Sequence, residues 1–98
     1  MKRIAQLLLA VTPNVIFATT TPVLPENPYN HNRDIERYNA VISQELKAMG
    51  VTINDLHALV YPHVNDYISS KDFLHLTPLG ARKAAEQVCH CIRQINKR

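Results

Sequence analysis

Apolar positions along the chain follow two rhythms, and the alternation between them outlines the elements. Ile4, Leu7, Leu8 and Val11 recur at three- and four-residue spacing and stop before Pro13, which predicts a short amphipathic helix. Val15-Ile16-Phe17-Ala18-Thr19 is instead an unbroken, β-prone run, read as a strand buried on both faces as in a parallel sheet. The helical rhythm returns from about Arg33 to Met49, with Ile35, Tyr38, Ile42, Leu46 and Met49 in one stripe. Asn32 suits its cap, Asp34 its first turn, and Gly50 the position just past its end. Val51-Thr52-Ile53 is a second short strand. Asp55 then caps a short helix through Leu56, Leu59 and Val60 that Pro62 stops, and Tyr61 to Ser70 reads as a polar loop. A last helix is predicted from Pro78 to about Asn96, burying Ala81, Ala84, Ala85, Val88, Ile92 and Ile95.

Strand, helix and strand in this order make one right-handed βαβ unit, so the fold class is α/β. A two-stranded parallel sheet needs further strands and covering helices. Residues 1–98 are therefore expected to be a single, partial domain whose first strand leaves an apolar edge open to another chain. The stretch from Pro22 to Arg33 contains Pro22, Pro25, Pro28, Asn27, Asn30 and Asn32, and its length is usual for a loop with a binding role. Ligands of open α/β sheets bind beyond the carboxyl ends of the strands. Thr19 to Val23 and Asn54-Asp55 lie at that edge.

With 98 residues the chain holds at most one small domain, and 46% hydrophobic content argues for a folded one. The net charge of +3 gathers largely at the ends, on Lys2, Arg3, Arg93, Lys97 and Arg98. No basic run is interleaved with aromatics, so no nucleic-acid partner is expected. Lys2-Arg3 followed by Ile4 to Ala10 also fits the start of a signal peptide. Gln6 interrupts that apolar run and no small-x-small cleavage site follows, which favours the amphipathic helix. No stretch is long enough to span a bilayer, and no membrane partner is expected. Cys89-His90-Cys91 resembles a metal cluster in print, but consecutive helical residues fan around the axis and no second ligand pair stands elsewhere. Neither a metal nor a cofactor is expected.

The candidate chemistry is Asp72-x-x-His75, on a tight loop just before the last helix, where Thr77 can cap and Pro78 can take the first position. At this spacing a carboxylate reaches the imidazole and accepts its Nδ1–H. That leaves Nε2 as a base and stabilises the imidazolium when it forms. Taken alone, an Asp, a His and a capping Thr are ordinary loop residues.

Four blocks in order strengthen the reading. They are Val15 to Val23 (VIFATTTPV), Ile35 to Asn39 (IERYN), Gly50 to Leu56 (GVTINDL) and Asp72 to Gly80 (DFLHLTPLG). Together they resemble the C-terminal part of an SGNH (GDSL-type) esterase, most closely members that remove acyl, often acetyl, groups from carbohydrates. The resemblance implies a three-layer α/β/α sandwich, an ester substrate such as an acetylated sugar, His75 as general base and Asp72 as its orienting carboxylate. The family's nucleophile sits in a Gly-Asp-Ser block, and this sequence has none. Its two glycines, Gly50 and Gly80, precede no serine, and the blocks that complete the oxyanion hole are missing too. Ser43 falls mid-helix, while Ser69 and Ser70 lie just upstream of Asp72, without the strand-to-turn setting of an exposed nucleophile. The expectation is a C-terminal hydrolase part, inactive alone, that partners a missing N-terminal half or associates with itself. The alternative is a non-catalytic module that pairs through its open sheet edge.

Overall fold

The computed structural model describes residues 1–97. It contains α1 (Lys2–Leu9), β1 (Ile16–Ala18), α2 (Asn32–Ala48), β2 (Thr52–Asn54), α3 (Leu56–Val60), a 3₁₀ turn (Tyr61–His63), α4 (Val64–Tyr67) and α5 (Pro78–Asn96). The two strands pair in parallel, Ile16 against Thr52, Phe17 against Ile53 and Ala18 against Asn54. Mixed helices around a parallel pair match the α/β class.

Each long helix ends where its sequence directs. Met49 closes α2, and Gly50 follows in the left-handed region at φ +95°. Its N–H donates to the Lys47 carbonyl (3.0 Å), and Val51 N–H reaches back to Leu46 (3.0 Å), the pairing of a Schellman cap. Thr77 caps α5 by accepting Gly80 N–H on Oγ1 at 3.0 Å, with Pro78 in the first turn. Asp55 caps α3 by accepting Ala58 N–H at 3.1 Å.

The start of α2 departs from expectation. Asn32 is its first residue, not its cap, because its amide is engaged elsewhere. It accepts from Val23 N–H (2.8 Å) and donates to Val23 C=O (2.9 Å). Asn39, two turns on, does the same for Thr20, at 3.0 and 2.9 Å. The two amides hold the chain leaving β1 much as a neighbouring strand would. Asn39 occupies the buried face of α2 with Ile42 and Leu46, and Tyr38, read into that stripe, is exposed. Tyr61 to Tyr67, read as loop, is helical: Pro62 falls in the first turn of the 3₁₀ segment, where its missing N–H leaves no gap.

Two apolar clusters form the core. Ala5, Val15, Ile42, Leu46 and Val51 join α1, α2 and the sheet. Leu24, Val60, Tyr67 and Ile68, with Val64, Phe73 and Leu76 against them, lie under the Asp72–His75 loop. Much apolar surface stays outside both. In α1 only Ala5 is buried, while Ile4, Leu7 and Leu8, and Val11 just beyond its end, are exposed. In α5 Gly80, Ala84 and Ile95 are buried, but Ala81, Ala85, Val88 and Ile92 are not. Nor is β1 buried on both faces: Ile16 and Phe17 are half-buried and Ala18 is exposed. Among the described residues its one sheet neighbour is β2. The accessible surface is 6655 Å². A compact globule of 11.1 kDa would expose roughly 5,700 Å², so about 1,000 Å² more than that scaling predicts remains open.

Candidate functional site

The loop between α4 and α5 is pinned at both ends. Ile68 and Leu76 form an antiparallel bridge, Ser69 N–H donates to the His75 carbonyl (2.7 Å), and Thr77 N–H donates to the Tyr67 carbonyl (2.8 Å). Thr77 Oγ1 also donates to the Asp66 carbonyl at 2.7 Å. Ser69 to His75 are thereby closed into a tight turn, with Phe73 and Leu76 as its apolar anchors against the second core cluster.

Phe73 adopts φ +61°, rare for a bulky residue. The conformation aims its carbonyl at the segment leaving β1, where it accepts Leu24 N–H (3.1 Å) and Asn27 Nδ2–H (3.2 Å). Packing of the half-buried ring and these two bonds offset the strain of about 1–2 kcal/mol. The loop from Pro22 onward is thus joined to the Asp72–His75 turn, and the chain from the carboxyl end of β1 reaches the candidate site. At the same strand end, Thr19 N–H donates to the Asn54 carbonyl (3.0 Å), and Thr19 Oγ1 donates to Asp55 Oδ1 (3.0 Å).

Within the turn, Asp72 Oδ1 accepts the N–H groups of Leu74 and His75, both at 3.0 Å. Asp72 Oδ2 lies 2.5 Å from His75 Nδ1. The His75 hydrogen bonds, side chain first and then backbone, together with Leu74 N–H, lower the Asp72 pKa from 3.8 to about 2. An ionised carboxylate only accepts, so Nδ1 carries the proton and the neutral ring presents its Nε2 lone pair outward. The His75 side chain is 77% exposed. The arrangement can position an imidazole, fix its tautomer and take a proton from an approaching hydroxyl.

No serine hydroxyl hydrogen-bonds to His75 among the described residues. Ser69 Oγ accepts Lys71 N–H at 3.1 Å, and Ser43 lies on α2. No cluster of three or more His, Cys, Asp or Glu side chains suited to a metal is present among the described residues, and no described helix is long and apolar enough to cross a membrane. His31 and His63 are exposed. Tyr29 is exposed within the loop that begins at Pro22, whereas Tyr67 is packed in the core. Residue spacing identified the Asp–His pair and placed Asn27 and Asn32 in the proline-rich stretch, but not their bonding to Phe73 and Val23, and it missed Asn39, which lies on α2 outside that stretch.

Comparison with known protein families, curated proteins and solved structures finds no match to this chain.

Proposed function

We propose that the chain supplies the Asp–His arm of an SGNH-type ester hydrolase acting on an acylated, in particular acetylated, carbohydrate, with the attacking hydroxyl borne by a segment outside these 98 residues. The observation that carries this reading is the division of labour at Asp72: one oxygen builds the turn and the other holds His75 Nδ1. In the reaction, His75 Nε2 takes the proton of the hydroxyl as it attacks the ester carbonyl. Asp72 stabilises the resulting imidazolium, which then returns the proton to the leaving alcohol. The four sequence blocks supply the substrate class.

The test is hydrolysis of p-nitrophenyl acetate. The full chain alone is expected to show no turnover above buffer, and turnover is expected once a Gly-Asp-Ser-bearing N-terminal half is bound to it. His75→Ala should then remove it, by about 10⁴-fold or more. A stable complex that hydrolyses nothing would sink the reading, and turnover by the chain alone would place the hydroxyl within it.

A second reading, an interaction module, is favoured by one observation. The open area of about 1,000 Å² is close to one partner's share of a standard interface, about 800 Å². The free edge of β1 and the apolar face of α1 are its candidate contacts. The two readings are compatible, since a missing half would occupy the same surface.

A further inference from the structure

Phe73 keeps its left-handed backbone between Asp72 and His75, and strain of this kind gathers where a fold serves a function. Here it turns the Phe73 carbonyl away from the turn, to accept Leu24 N–H and Asn27 Nδ2–H. A residue lying between the two candidate side chains thus grips the loop that leaves β1.

Asn27 passes that grip onward. It is only 5% exposed, and while its Nδ2 is bonded to Phe73, its Oδ1 accepts the N–H groups of Tyr29 and Asn30, both at 2.9 Å. Its own N–H donates to the Leu24 carbonyl (3.0 Å), and Pro28 brings a fixed φ just ahead of Tyr29. Two hydrogen bonds across one amide keep the Tyr29 nitrogen within about 8.5 Å of the Phe73 carbonyl oxygen. Pro22, Val23 and Leu24 are buried, and residues 28–31 form an exposed crest.

On that crest the Tyr29 side chain is 89% exposed, the most of any large apolar side chain among the described residues. Among those residues its hydroxyl makes no hydrogen bond and its ring touches no other ring. Scattered apolar side chains on a surface are ordinary. A bare ring tied through one buried amide to the turn that carries Asp72 and His75 is a more particular arrangement. Its shape indicates a ligand class. A flat apolar face with a hydroxyl at its rim suits a pyranose, which presents C–H groups on one face and hydroxyls around its edge. With two side-chain torsions, a tyrosine also loses little freedom when it is covered.

We propose that Tyr29 is the stacking platform for the sugar ring of the substrate, held at a set separation from His75 by Asn27 and Phe73. It selects the alcohol part of the ester, while the acyl carbonyl meets the His75 side. This inference rests on the carbohydrate-ester reading and adds the residue that chooses the sugar.

The test is NMR of the full chain alone, carrying ring-¹³C tyrosine and titrated with methyl 6-O-acetylglucopyranoside. Glycerol triacetate, which has acetyl esters but no pyranose, is the parallel arm. The Tyr29 signals, assigned by their loss in Tyr29→Phe, should shift saturably with the sugar, show nuclear Overhauser contacts to its C–H groups and ignore the triacetate. By ligand-observed NMR, Tyr29→Ala should weaken binding about tenfold. Tyr29→Phe should weaken it by less than about threefold, with circular dichroism unchanged in both. No saturable shift up to about 100 mM overturns the proposal, as does an equal response to the triacetate or unchanged affinity in Tyr29→Ala. A ring silent to sugar but shielded when the N-terminal half binds assigns Tyr29 to a protein interface and also overturns it. Hydrolysis of p-nitrophenyl acetate, which carries no sugar, reads the Asp72–His75 pair separately. Turnover with a silent Tyr29 ring withdraws the platform alone, and a responsive ring without turnover keeps the platform and withdraws the hydrolase.

Discussion

At Asp72 two functions rest on one carboxyl group, and they separate by substitution. An asparagine there keeps an oxygen for the N–H groups of Leu74 and His75 but offers an N–H where His75 Nδ1 needs an acceptor. Asp72→Asn should keep the turn while the His75 ring becomes a mixture of tautomers by ¹⁵N NMR; a single unchanged tautomer would contradict the assignment. Titration follows the same geometry. Because the folded pKa is lowered, the carboxylate's contribution to the turn is fully present above the ordinary value of 3.8 and is lost as pH falls through about 2. The ¹³C signal of the Asp72 carboxyl should have its midpoint near 2, moving toward 3.8 in His75→Ala. At this scale the pair was legible because three-residue spacing before a helix cap is local information. The left-handed Phe73 was not, since its packing and the bonds of its carbonyl to Leu24 and Asn27 depend on residues far away in sequence.

The three long helices and both strands were legible in kind, because caps and periodicity are also local: Gly50, Asp55 and Thr77 act as read, whereas the helical turns of Tyr61 to Tyr67 were read as loop. Which helix faces are buried was not, because burial depends on what packs against them. The stripes of α1 and α5 illustrate this, with Ile4, Leu7, Val88 and Ile92 exposed. The junction of α4 and α5 also shows a constraint the sequence hides. A Cβ at Gly80 would collide with the Tyr67 carbonyl oxygen and lie 2.9 Å from Tyr67 Cβ. Gly80→Ala should destabilise the fold by about 1–3 kcal/mol in chemical denaturation, and a neutral result would mean that the helix start is not held tightly. Asn39→Ala orphans the Thr20 N–H and C=O, and a loss of about 1–3 kcal/mol is expected by the same measurement.

For the molecule as a whole, surplus surface is the leading feature. A radius of gyration of 14.4 Å exceeds the roughly 13 Å of a compact chain of this length. On size-exclusion chromatography the chain should therefore run above 11.1 kDa as concentration rises, and Leu7→Glu, which charges the apolar face of α1, should oppose this. A monomer at every concentration would remove edge pairing from consideration. The surplus has one further effect, through Thr19. This residue follows the last residue of β1, and its hydroxyl is shared between Asp55 and the amide of His57. A strand added along β1 that shifts its end would tug that hydroxyl and tilt α3. Assembly at one margin of the sheet would then be felt in the spectrum of a ring it never touches, making His57 a built-in reporter of docking.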